Sequence, residues 1–98
     1  MMMAVKLAAD SPGADTVRNA CFGVITTLDP GALPRVVEAF AKRGLVPASV
    51  YVRRFAEQQS LHIDIQVEAP LRHCATIADQ LRSLPVVQCV VEAISLPG

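Results

Sequence analysis

Tryptophan is absent from this 98-residue chain, and aromatic residues make up only 4% of it. A core must therefore come from Val, Leu, Ile and Ala, which the 52% hydrophobic content supplies. Charge of one sign is also missing: nine Lys and Arg balance nine Asp and Glu. That balance removes the electrostatic basis for binding nucleic acid or an anionic membrane. Weak self-repulsion in so apolar a chain instead favours association with another protein. No apolar run reaches transmembrane length. The opening MMMAVKLAAD is interrupted by Lys6 and stops at Asp10, too short for the apolar segment of a signal peptide. Cysteines number three (Cys21, Cys74 and Cys89), and no two have C-x-x-C spacing. Neither a disulfide framework nor a metal or redox motif is expected, and the reading is of buried thiols in a reducing cytoplasm.

What is present is well punctuated. The length allows one domain. Residues 1–18 carry Ser, Pro, Gly and Asp and read as a flexible tail, leaving 19–96 as the domain. Residues 21–27 (CFGVITT) are rich in β-formers and run into Asp29-Pro30-Gly31, so they read as a first strand. Leu33, Val36, Val37, Phe40 and Ala41 then recur at helical spacing, with Pro34 in the first turn and Gly44 placed to end the helix. Residues 47–55 (PASVYVRRF) predict a second strand, followed by a polar turn, AEQQS, that lacks the usual Gly or Asn.

Strict alternation marks the third strand, residues 61–67. Leu61, Ile63, Ile65 and Val67 face one way, while His62, Asp64 and Gln66 face the other. Such a strand belongs to a sheet with one covered and one open face. Cys74, Ile77, Ala78, Leu81 and Leu84 give a second helical stripe, closed by Pro85, and residues 86–94 (VVQCVVEAI) predict the fourth strand. Two one-sided helices and a one-sided sheet in the order βαββαβ pack economically with both helices on the same face. The expected fold is an α+β, ferredoxin-like two-layer sandwich with antiparallel strand order 4-1-3-2. Its second and fourth strands are edges, and an edge carrying Val50, Tyr51 and Val52 invites pairing with another chain.

Many activities share this architecture, so function has to be argued from sites. RNA recognition needs stacking aromatics on the inner strands, and LHIDIQVE has none. A copper chaperone needs a Cys pair before the first helix, and an acyl-phosphate hydrolase needs an Arg in a phosphate-cradling loop there. Neither arrangement is present. His62 and Asp64 lie two positions apart on the open face and could in principle exchange protons, although alternation already accounts for them. His73 has no second ligand at metal spacing. Arg53 and Arg54 point to opposite faces of the second strand, one to bind an anion or both to guard the edge. No residue forms a nucleophile with an adjacent base, so no catalytic residue, metal or cofactor is expected.

The remaining feature is the joint where strand turns into helix. D-P-G-x-L-x-x-V-x-x-x-F-x-x-x-G, residues 29–44, resembles the signature of ACT domains, small modules that sense amino acids. The likeness extends over residues 21–94 and includes the βαββαβ order. Within that family, RVVEAFAKRGLVPASVYV and the alternating strand after it are most similar to the compact, single-domain form of the small regulatory subunit of acetolactate synthase. The resemblance implies a non-catalytic subunit that dimerises through an edge strand. It also implies binding to the large, thiamine-diphosphate-dependent synthase subunit in branched-chain amino-acid biosynthesis, or alternatively a free-standing amino-acid sensor. A small amino-acid effector would lie between the first helix and the opposing protomer, with Asp29, Gly31, Ala32 and Leu33 at the pocket mouth. The N–H groups that open a helix suit a carboxylate there, and Gly31 permits close approach.

Overall fold

A computed structural model describes residues 16–95. The elements are β1 (Val17–Thr27), α1 (Ala32–Ala41), β2 (Ser49–Phe55), β3 (Ser60–Pro70), α2 (Leu71–Arg82) and β4 (Val87–Ile94). They form one four-stranded sheet in the order β2-β3-β1-β4, with every neighbouring pair antiparallel. Read from the other edge, this is the expected 4-1-3-2. Among the described residues, no helix is long and apolar enough to cross a membrane.

Alternation explains the sheet. Ala20, Phe22, Val24 and Thr26 of β1, with Ile63, Ile65, Val67 and Ala69 of β3, turn into the core, and the residues between them face the open side. The helices supply the other half of that core through Val36, Ala39 and Phe40 of α1 and Cys74, Ile77, Ala78 and Leu81 of α2. Phe22 and Phe40 meet edge to face, with centroids 5.3 Å apart and planes at 75°, so two of the few aromatic rings fasten α1 to the central strand. The buried Thr26 hydroxyl donates to the Thr27 carbonyl at 2.8 Å, which removes the penalty of a lone hydroxyl in the core.

The boundaries depart from the sequence reading in places. β1 begins at Val17, inside the segment expected to be tail, because Val17 and Arg18 pair with Pro70 and Ala69 of a β3 that runs on to Pro70. Residues 1–15 of that expected tail lie outside the described residues. The α1 stripe is rotated: Ala32 and Ala39 are buried and Ala41 is exposed. Ala39 borders a small hollow shared with Gln80 and Leu84, so its face turns toward the α2 end of the molecule. Helix α2 stops at Arg82, and Leu84 packs on the core from the turn that follows.

Capping is as the punctuation suggests for α1. Gly44 has φ +70°, its N–H donates to the Ala41 carbonyl at 3.0 Å, and the Leu45 N–H reaches back to Phe40 at 3.1 Å. This is the left-handed helix stop that glycine permits. In the AEQQS turn, Gln59 takes the left-handed position at φ 53° and its side chain donates to the Ala56 carbonyl at 2.7 Å. That local bond supports a conformation usually left to Gly or Asn.

Candidate functional site

The joint between β1 and α1 is a type I turn built by its own sequence. The Ala32 N–H donates to the Asp29 carbonyl at 2.9 Å, with Pro30 and Gly31 (φ −85°, ψ −4°) in the two central positions. The Asp29 carboxylate bends back and accepts the Gly31 N–H at 2.7 Å. Gly31 takes an ordinary backbone angle, so the constraint on it is local crowding. A Cβ on Gly31 would stand 3.3 Å from the Asp29 carboxylate oxygen, tighter than ordinary contact.

Among the helix-opening N–H groups expected to greet a ligand, those of Gly31 and Ala32 are thus used by Asp29 itself. The Ala32 side chain is fully buried, and Leu33 is half-buried against the core. Of the four expected residues, only Asp29 lines a cleft. That space is a cleft of about 460 Å³ lined by Leu28, Asp29, Pro30, Arg54, Gln59 and Leu61. The Leu28 N–H donates to the Gln59 carbonyl at 3.2 Å, tying the joint to the β2–β3 turn. Sheet register does the rest: Arg54 pairs with Leu61, which pairs with the core-facing Thr26. The cleft therefore lies on the helix side of the sheet, and its lining includes one acidic residue, Asp29, one basic residue, Arg54, and the apolar Leu28 and Leu61.

The family profile of ACT-like domains matches residues 13–96. The chain belongs to the ACT-like domain family. Solved structures agree on the fold. The ACT domain of GTP pyrophosphokinase from Chlorobium tepidum superposes with a TM-score of 0.68 at 13% identity, covering 80% of this chain and 100% of that one. An uncharacterized protein of Thermotoga maritima gives 0.68 at 11% identity, with 81% and 98% covered. Homoserine dehydrogenase from Thiobacillus denitrificans gives 0.72 at 10% identity over 86% of this chain but only 19% of that one, so this chain spans about a fifth of that enzyme. No curated protein matches the sequence.

The other candidates of this ACT-like domain are dispersed. His62 stacks on Phe55 with centroids 4.2 Å apart, and Arg53 covers the same ring at 5.2 Å. Asp64 stands across from Gly23 on the open face, and no hydrogen bond joins it to His62. Burial lowers the proton affinity of His73, and the nearby Arg72 and Arg43 lower it further. Burial raises the Cys74 pKa, with Glu92 adding to the effect, so this thiol is a poor nucleophile. Among the described residues, no three His, Cys, Asp or Glu come together as a metal site. A larger hollow of about 590 Å³, beside Cys21, Gln66 and Ala93, has no charged side chain in its lining.

Sequence reasoning weighed Arg54 only as one of a pair and did not reach Gln59 or Leu61 as cleft residues. Arg54 lies 25 positions beyond Asp29 in sequence, and only the β2–β3 register brings it to the joint. The available signal was the i+1 alternation in Arg53-Arg54, which sends one guanidinium to each face.

Proposed function

We propose that this ACT-like domain is a non-catalytic regulatory module whose effector is a small α-amino acid with an apolar side chain, bound in the cleft beside the joint. The observation that carries this reading is the composition of the cleft: Asp29 and Arg54, of opposite charge, line it together with Leu28 and Leu61. A zwitterion matches that pattern, its ammonium toward Asp29, its carboxylate toward Arg54 and its side chain on the leucines. The turn through Gly31 and Ala32 holds Asp29 in position through their N–H groups.

The partner in this reading is the catalytic subunit of acetolactate synthase, in the cytoplasm, with this chain as a dimer joined through an edge strand. The support is the motif over residues 29–44. The thiamine diphosphate belongs to that partner. A free-standing sensor is the second reading.

The test is a thermal-shift scan of the purified chain against the twenty amino acids. Ligand at ~100-fold its dissociation constant adds about 2.7 kcal/mol to the folded state, a midpoint rise on the order of 10 °C for a domain this size. A response confined to valine, leucine or isoleucine is expected. A flat response to all twenty would refute the effector site. Co-purification with a synthase large subunit separates the two readings of partner.

A further inference from the structure

Both helices pack on one face of the sheet, and the opposite face is divided along its length. On one half, Ile25, Gly23 and Cys21 of β1 stand beside Cys89, Val91 and Ala93 of β4. None of the six is charged, and Val91 is 62% exposed. On the other half, the same β1 residues stand beside His62, Asp64 and Gln66 of β3. The hollow of about 590 Å³ opens at the end of this face around the Gln66, Cys21 and Ala93 row. Asp64 leans toward the uncharged half, since a Cβ on Gly23 would stand 3.4 Å from its carboxylate oxygen. Among the described residues, no cation forms an ion pair with Asp64. An exposed apolar strip of this kind, with a carboxylate beside it, is a docking surface.

The chain carries a segment that fits it. Of residues 1–9, MMMAVKLAA, eight are apolar and the ninth is Lys6. Residues 10–15, DSPGAD, follow, and their Ser, Pro and Gly suit a reversal of direction. Six residues can span about 20 Å and nine about 30 Å. The eleven residues of β1 measure about 33 Å. That strand begins at Val17, which alternation sets on the same face as Asn19 of the hollow. The segment thus reaches both the hollow and the strip. The family profile starts at residue 13, so residues 1–9 are an addition to the shared module.

We propose that residues 1–9 dock on the β1–β4 half of the open face, with their apolar side chains in the hollow and along the strip and Lys6 toward Asp64. The segment is a tethered cover. A short linker gives its free end an effective concentration in the millimolar range, so closure does not depend on how dilute the protein is. Docking buries the apolar strip, and release exposes a face that the closed chain withholds from other proteins. The effector cleft lies on the helix side of the sheet, so cover and cleft are separate surfaces.

Cys21 is the reporter, because it is half-buried and lines the hollow. In the full chain carrying Cys89→Ser, the fully buried Cys74 does not compete for a maleimide. The labelling rate of Cys21 is compared with that of the same chain carrying Val5→Asp and Leu7→Asp. Undocking should speed labelling about tenfold or more, since fully burying even one such side chain is worth that factor. Lys6→Glu should speed it about two- to fivefold, as for an exposed ion pair. Adding Asp64→Lys to Lys6→Glu should restore the slow rate.

Equal rates with and without the two aspartates would overturn the proposal. A shared rate that falls as protein concentration rises would assign the face to a second copy instead, and a shared rate independent of concentration would leave it open. Labelling that stays fast when Asp64→Lys is added would overturn the Lys6 contact. All the segment's substitutions lie outside the described core, and circular dichroism checks that each variant is folded. No readout uses an amino acid, so a flat thermal scan refutes the effector alone and equal labelling rates refute the cover alone.

Discussion

At the scale of single residues, Asp29 has two duties that can be separated. Its carboxylate fixes the turn through the Gly31 N–H and also faces the cleft. Asp29→Ala should lower stability by about 1 kcal/mol, the usual loss for a side-chain acceptor at a helix start, and abolish the response to amino acids. Asp29→Asn retains an oxygen acceptor and should recover most of the stability while remaining unresponsive, because the ammonium loses its counter-charge. Urea unfolding and the thermal scan measure the two effects independently.

His73 gives a pH dependence whose sign follows from its lowered pKa in the folded chain. Burial, then Arg72 and Arg43, disfavour its charged form there, whereas the unfolded chain titrates near the ordinary value of about 6.5. As pH falls through about 6.5, the unfolded chain takes up the proton first, so stability declines toward acid and is fully present above that value. The melting midpoint should fall between pH 7.5 and 5.5, and His73→Gln should flatten that slope.

Elements show why much of this fold was legible in advance. Strand alternation at residues 61–67 and the helical stripe at 74–81 are local patterns, and Pro and Gly mark where they stop. Gly44 illustrates the economy of such marks. It holds φ +70° with no atom within 4 Å of where a Cβ would stand, so its importance is conformational and not steric. Gly44→Ala should destabilise by about 1–2 kcal/mol, and Gly44→Asn by less, read from the urea midpoint. What local pattern could not reveal was the start of β1. Val17 and Arg18 sit in a polar stretch that reads as loop, and only pairing with the far end of β3 makes them strand. The rotated face of α1 is a similar case, since its second helix neighbour decides whether Ala39 or Ala41 is inside.

For the molecule as a whole, the order of strands followed from the sequence, but the cleft did not. Asp29 was legible because it stands in a turn motif. Arg54, Gln59 and Leu61 come from a hairpin that reaches the joint through register, a relation with no local trace. Net neutrality and apolar content pointed to association.

One further relation concerns the other end of the sheet. The Leu71 N–H donates to the Thr16 carbonyl at 3.0 Å and the Ser95 N–H to the Asn19 carbonyl at 2.9 Å, so the first and last described residues leave the sheet side by side. The joint lies at the opposite end of β1, ten residues away and thus about 33 Å distant. Topologically this is a plug with both leads on one side. It can be spliced into a surface loop of a host polypeptide, or be joined end to end and reopened elsewhere, without threading a strand.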